Sequence, residues 1–90
     1  MGSKGDFRGR DLTDANLDNA TLTKAGFRMP KLTRASLRGA ILRQADLRLA
    51  AFEGANLRDT DLRDADVRGA RLSPEQLAQA KNVPHRPTSQ

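Results

Sequence analysis

Large apolar residues recur at every fifth position through most of this 90-residue chain. The series consists of Phe7, Leu12, Leu17, Leu22, Phe27, Leu32, Leu37, Leu42, Leu47, Phe52, Leu57, Leu62, Val67 and Leu72. Five residues turn an α-helix through about 500°, so the series forms no single stripe there, and in a flat strand it would alternate between faces. The period therefore predicts a solenoid, in which the chain bends once per unit and each unit buries its apolar centre against its neighbours.

The other positions of the unit support this interpretation. Alanine usually stands two residues before the apolar centre, and the two side chains point the same way because side chains alternate along an extended segment. Turn-forming residues often stand two positions after the centre, namely Gly9, Asp14, Asn19, Gly39, Gly54, Asp59, Asp64 and Gly69. Arg10, Pro30 and Thr60 replace the alanine, and we expect a local perturbation of the coil at these three positions.

Four segments carry a resemblance to a known family. Ala15-Asn16-Leu17, Ala45-Asp46-Leu47, Ala55-Asn56-Leu57 and Ala65-Asp66-Val67 resemble the A(D/N)LXX unit of pentapeptide-repeat proteins, and the match extends over about residues 5 to 73. The resemblance implies an all-β solenoid, a right-handed quadrilateral β-helix with about twenty residues per coil and about three and a half coils here. It also implies a protein-binding or scaffolding role, because most members of the family have one; some resemble duplex DNA and bind type II topoisomerases.

The expected organisation is one small domain with a helical cap. We assign residues 1–4 to a disordered start, 5–73 to the β-helix, 74–82 to a capping helix and 83–90 to a disordered tail. Ser73, Pro74 and Gln76 form a helix-start pattern, with Ser as N-cap and Gln three positions later. Such a helix would cover the last coil. No similar helix precedes Phe7, which leaves an open end and self-association through it as a hypothesis.

Charged residues fall into columns if the coils stack every twenty residues. The register predicts the vertical pairs Asp11–Lys31, Asp14–Arg34 and Asp18–Arg38. It also stacks Arg8, Arg28, Arg48 and Arg68, four like charges in one column. An aspartate precedes three of these arginines by two positions, whereas Gly26 precedes Arg28. An Arg/Asp ladder that keeps the surface hydrated is one interpretation of this column.

The middle of the chain is the candidate partner surface. Residues 20–45 hold six basic residues and no acid, and on a four-sided coil these form a basic belt. Met29 and Leu49 place apolar side chains at the turn position, twenty residues apart. The candidate partner-binding residues are therefore Lys24, Arg28, Met29, Lys31, Arg34, Arg38, Arg43, Arg48 and Leu49. A merely solvated surface is the alternative interpretation.

No residue pattern indicates catalysis, a cofactor or a metal site. The chain has no cysteine, and its one histidine, His85, has no triad or ligand partner nearby in sequence. We therefore expect a non-enzymatic scaffold or protein–protein interaction module, bacterial and cytoplasmic, without a membrane span. A DNA mimic that binds DNA gyrase or topoisomerase IV is the alternative, disfavoured by the net charge of +5 and the short length. A second alternative is an anionic polymer, including nucleic acid, bound through the basic belt.

Overall fold

The computed structural model describes residues 9–84 and folds them into a four-sided coil held by single parallel β-bridges. Every bridge joins residues twenty positions apart. The first round pairs Asp11 with Lys31, Asn16 with Ser36, Thr21 with Ile41, and Gly26 with Asp46. Later rounds pair Lys31 with Ala51, Ser36 with Asn56, Ile41 with Asp61, Asp46 with Asp66, Ala51 with Arg71, and Asp61 with Lys81. The coil therefore has four faces and a twenty-residue circuit.

Backbone hydrogen bonds join each unit to the coils on both sides of it. The N–H of Ser36 donates to the carbonyl of Ala15 at 2.9 Å, and the N–H of Leu37 donates to the carbonyl of Asn56 at 2.9 Å. The same pattern repeats on the other faces. These bonds satisfy the polar backbone that a solenoid places next to its apolar interior.

A tight turn separates each face from the next. In the unit of Leu42, the N–H of Ala45 donates back to the Leu42 carbonyl at 3.1 Å, and Gln44 has a φ of 61°. The predicted turn residues all have positive φ, but Lys24, Met29, Arg34 and Leu49 do as well. For residues other than Gly, Asn and Asp, this conformation costs about 1–2 kcal/mol. The stack therefore imposes a left-handed turn even where the residue does not favour it.

The apolar centres form one continuous interior. Phe27, Leu32, Leu37, Leu42, Leu47, Phe52, Leu57 and Leu62 are buried, together with the alanines between them. Leu12, Leu17, Leu22, Val67 and Leu72 are half-buried because they lie in the first and last coils. Phe7 lies outside the described residues, as do the predicted start at 1–4 and residues 85–90.

Replacement of the small residue at Pro30 and Thr60 leaves the register intact. Thr60 is buried, its hydroxyl donates to the Leu37 carbonyl at 2.6 Å, and its N–H still closes the turn to Leu57 at 3.1 Å. Pro30 has no N–H for its turn, but its carbonyl accepts from Ala51 at 3.0 Å. The expected perturbation of the coil is therefore wrong at Thr60, because a hydrogen-bonded hydroxyl fits where alanine does. Arg10 is exposed.

The helix α1 spans Pro74–Gln79 and caps the last coil. Ser73 and Gln76 form a capping box, as the sequence predicts. The helix ends three residues before the expected 82, because the chain returns to the ladder: Lys81 bridges Asp61, and its N–H donates to the Thr60 carbonyl at 2.7 Å. Val83 packs against the interior, so the first residue of the expected disordered tail is part of the fold.

Candidate functional site

Where an asparagine or aspartate directly precedes the apolar centre, its side chain has a local structural role. The side-chain Oδ1 accepts a hydrogen bond from the backbone N–H two residues later, at distances between 3.0 and 3.2 Å. Six residues do this, namely Asp11, Asn16, Asp46, Asn56, Asp61 and Asp66. Neighbouring coils leave this N–H unbonded, so a short carboxylate or amide satisfies it best.

Two aspartates on one face also bind the arginine two residues later. The Asp46 carboxylate accepts from Arg48 Nε at 2.8 Å and from Arg48 Nη2 at 2.7 Å. Asp66 accepts from Arg68 at 2.9 and 2.7 Å. The arginine hydrogen bonds are the main cause that lowers the pKa of Asp46 and Asp66 below the ordinary value. The ladder proposed from the sequence therefore exists at these two levels.

The ladder is incomplete at Arg28. Gly26 bridges Asp46 and so takes the same place one coil earlier, but it has no side chain. Arg28 is exposed, and within residues 9–84 neither a salt bridge nor a side-chain hydrogen bond involves it. Its backbone is in place, because the Arg28 carbonyl accepts from the N–H of Gly9 at 3.1 Å.

Met29 and Leu49 form an exposed apolar corner next to this position. They are 52% and 54% exposed, and they are the large apolar side chains that the described part of the fold leaves in solvent. Both have a φ of 61°, and the N–H of Met29 donates to the Arg48 carbonyl at 2.8 Å. A Cβ added to Gly69 would lie 2.6 Å from Leu49 Cδ2, so this glycine leaves room for the leucine on the coil below it.

The basic belt is partly neutralised by the neighbouring coils. Arg34 forms a bidentate pair with Asp14, at 2.8 and 3.2 Å, as predicted. Asp18 does not bind the Arg38 guanidinium; it accepts from the N–H of Arg38 at 3.1 Å and from the Ser36 hydroxyl. This prediction is wrong because Ser36 stands where other units have aspartate or asparagine, and Asp18 from the coil below supplies the acceptor instead.

The other belt residues remain open to solvent. Lys24, Lys31, Arg38 and Arg43 are exposed, whereas Arg48 is half-buried in its ion pairs. For Asp11, hydrogen bonds from Thr13 are the main cause of a lowered pKa, and the charge of Lys31 adds to it. Arg28, Lys31, Arg38 and Arg43 lie on four different faces, so the exposed cations encircle the solenoid and do not form one cleft.

The described residues contain no cluster of three His, Cys, Asp or Glu side chains suited to a metal ion. An open groove of about 630 Å³ lies beside α1, lined by residues that include Glu53, Arg71 and Gln79. The groove is separate from the Met29–Leu49 corner. Within residues 9–84, no helix is long and apolar enough to cross a membrane.

Comparison with protein families identifies the repeat. A model described as pentapeptide repeats matches residues 6–29 and 31–69 with eight copies, which is more than half of the chain. The chain belongs to the pentapeptide repeat family. Its coil is accordingly the right-handed quadrilateral β-helix of that family. Among curated proteins, none matches the chain significantly.

Solved structures of pentapeptide repeat proteins are similar to the chain. A pentapeptide repeat protein of Nostoc PCC 7120 is 33% identical with a TM-score of 0.42, and the match covers 89% of this chain and 78% of that one. HetL from Nostoc sp. strain PCC 7120, described as involved in the regulation of heterocyst differentiation, is 33% identical with a TM-score of 0.48. That match covers 90% of this chain but only 42% of HetL. A protein of the Arabidopsis thaliana thylakoid lumen is 27% identical with a TM-score of 0.33, over 84% of this chain and 70% of that one.

This pentapeptide repeat protein departs from its own repeat at Gly26. The sequence identified Arg28 as a candidate residue but did not include Gly26. The available signal was the pattern Asp-x-Arg at 46–48 and 66–68, which becomes Gly-x-Arg at 26–28. Gly26, Arg28, Met29 and Leu49 together form what we call the open rung.

Proposed function

We propose that this pentapeptide repeat protein is a non-enzymatic interaction module that binds a partner protein at the open rung. The observation that carries the proposal is the exposure of Met29 and Leu49 at positive φ. Each residue takes a conformation that costs about 1–2 kcal/mol for a side chain of this type. Half of each side chain remains in solvent, so folding gains little from either one. An apolar partner surface would bury both side chains and so stabilise the complex.

The carboxylates support a non-enzymatic role. The pKa values of Asp11, Asp14, Glu53, Asp61 and Asp66 lie below their ordinary values, mainly because each carboxylate accepts hydrogen bonds. At Glu53 the main donor is its own backbone N–H, followed by Arg71. A general acid or base works best with a pKa near the operating pH, which requires a raised carboxyl pKa. These side chains instead stay ionised and act as hydrogen-bond acceptors, within one unit at Asp11 and Asp66 and between coils at Asp14.

The charges of the second coil weigh against the DNA-mimic alternative, because duplex DNA is acidic and this level of the solenoid is basic. Binding of an anionic polymer has one specific observation in its favour. Arg38 lies below Arg58 and Arg43 lies below Arg63, and within the described residues none of the four guanidinium groups forms an ion pair. A fall of duplex-DNA affinity by orders of magnitude between low and physiological salt would support this function.

The test of the main proposal is capture of a partner from a lysate of the source cells. The double variant Met29→Asp, Leu49→Asp should lose a protein that the native chain retains. Gln44→Asp is the matched control, because Gln44 is an exposed corner residue with the same φ of 61°. Equal urea midpoints would show that all three proteins fold alike. Retention of the same proteins by the double variant would refute the proposal.

A further inference from the structure

We propose that the open rung binds an aspartate or glutamate side chain of the partner, in the place that Asp46 and Asp66 fill on the next two coils. This inference rests on the proposed function and specifies the chemistry of the partner. The ligand is a carboxylate next to an apolar side chain. The carboxylate contacts Arg28, and the apolar side chain covers Met29 and Leu49.

The next two coils show how such a carboxylate is held. Asp46 accepts three hydrogen bonds from Arg48, from the backbone N–H at 3.2 Å, from Nε at 2.8 Å and from Nη2 at 2.7 Å. Asp66 accepts the same three from Arg68, at 3.2, 2.9 and 2.7 Å. One backbone donor and a bidentate guanidinium form a strong, directional carboxylate site.

Arg28 presents the same donors without the acceptor. The bridge between Gly26 and Asp46 gives position 26 the same place in the coil as position 46, and glycine has no side chain that could accept from Arg28. Because the repeat is regular, the N–H and guanidinium of Arg28 can adopt the arrangement seen at Arg48. A carboxylate from outside the chain would complete the rung.

The other arginines at this repeat position differ from Arg28. The N–H groups of Arg58 and Arg63 are bonded by Asn56 and Asp61, and that of Arg38 by Asp18. At Arg43 the position two residues earlier is filled by the half-buried side chain of Ile41. Within the described coils, Arg28 is therefore the arginine at this repeat position that has glycine two residues earlier and no side-chain acceptor for its N–H.

The apolar corner favours a protein carboxylate over a phosphate. Met29 follows Arg28 directly, and Leu49 lies one coil above Met29 in the same corner column. A nucleic-acid backbone offers anionic oxygens but no apolar side chain to cover this corner. A peptide segment with an acidic residue next to a leucine offers both.

The test uses NMR titration of the ¹⁵N-labelled protein with two capped peptides. One contains an aspartate followed by leucine, and the other has asparagine in place of the aspartate. We expect a saturable shift of the Arg28 N–H signal with the first peptide, and affinity at least about tenfold lower for the second. Equal affinities, or no saturable shift up to about 10 mM peptide, would overturn the inference.

Gly26→Asp supplies the missing carboxylate from within the chain. It should lower affinity for the aspartate peptide at least about tenfold, whereas Gly26→Ala, which adds only a methyl group, should keep it within about twofold. Both variants should fold, because positions 46 and 66 tolerate aspartate in the same backbone arrangement. If Gly26→Asp changes the spectrum beyond its neighbours, Arg28→Gln provides the same comparison with the glycine kept.

The two proposals fail separately. If the captured partner is lost with Met29→Asp, Leu49→Asp but retained by Gly26→Asp, the interaction function holds and the carboxylate inference is wrong. If the peptide binds Arg28 but no partner depends on Met29 and Leu49, the proposed function is wrong. A short DNA duplex that shifts Arg28 when the aspartate peptide does not would overturn the inference in favour of a phosphate ligand.

Discussion

Gln76 is the side chain on which the capping end of the solenoid depends most. In the regular coils, the backbone N–H of Ser36 bonds the carbonyl of Ala15, and that of Asn56 bonds the carbonyl of Ala35. The next carbonyl in this series, that of Ala55, accepts from Gln76 Nε2 at 3.0 Å instead. The same Nε2 donates to the Phe52 carbonyl at 2.7 Å, and Gln76 Oε1 accepts from the N–H of Ser73 at 2.9 Å. A side chain thus replaces the missing coil.

Gln76→Leu should destabilise the protein by about 2–4 kcal/mol. The Phe52 carbonyl keeps its hydrogen bond from the N–H of Ala55, so losing the bond from Gln76 costs this carbonyl little. The Ala55 carbonyl loses its partner next to the interior, which costs about 1–3 kcal/mol, and the loss of the Ser73 bond adds about 1 kcal/mol. A chain of this size has roughly 5–13 kcal/mol of total stability, so the effect is large.

Urea unfolding followed by circular dichroism measures this change, because the chain contains neither Trp nor Tyr. Gln79→Leu is the control, since Gln79 is exposed on the same helix. Faster hydrogen exchange of the Asp59 and Leu62 amides, which bond Gln79 and Lys81, would locate the effect at the last coil. If Gln76→Leu and Gln79→Leu lower stability equally, or by less than about 1 kcal/mol, the reasoning is refuted.

Two further predictions concern the interior and the ladder. Leu47→Ala should lower the free energy of unfolding by about 2–5 kcal/mol, because Leu47 is fully buried. Leu49→Ala should change it by less than about 1 kcal/mol, because Leu49 is exposed. Comparable losses for the two variants in urea unfolding would contradict the assignment of Leu49 to the surface. Stability should also fall as the pH drops from about 5 to about 2. The pKa values of Asp46 and Asp66 are lower in the folded than in the unfolded protein, so the two carboxylates stabilise the fold fully above their unfolded pKa and lose this effect on protonation. Asp46→Asn, Asp66→Asn should flatten this pH dependence, and an unchanged urea midpoint profile would contradict the role of the ladder.

Much of the fold follows from the period of five. The apolar centres keep the five-residue spacing from Phe7 to Leu72, and most units add an alanine two residues earlier. Ser73 and Pro74 likewise mark the start of α1 through local capping chemistry. The Asp14–Arg34 pair could also be predicted from the sequence, because the twenty-residue register alone brings these two side chains together.

The candidate site was only partly predictable. The sequence indicated Arg28, Met29 and Leu49 as candidate binding residues, and in the fold Met29 and Leu49 are exposed. The importance of Gly26 follows from the three hydrogen bonds that Asp46 accepts from Arg48. The spacing of residues in the sequence does not reveal these bonds, because they depend on the positions of individual atoms. The Asp18 contacts were missed for the same reason, because the choice between a guanidinium and a backbone N–H depends on what Ser36 leaves unsatisfied.

The sequence by itself determined the coil, since a short repeat with one apolar centre buries that centre only by stacking on its neighbours. Tertiary structure alone decided how the stack ends and where its surface is open. The end of α1 after Gln79 and the return at Lys81 depend on which carbonyls the last coil leaves free. The open rung exists because Gly26 has no carboxylate for Arg28. This difference is recognised only by comparison with the hydrogen bonds that Asp46 and Asp66 accept on the next two coils.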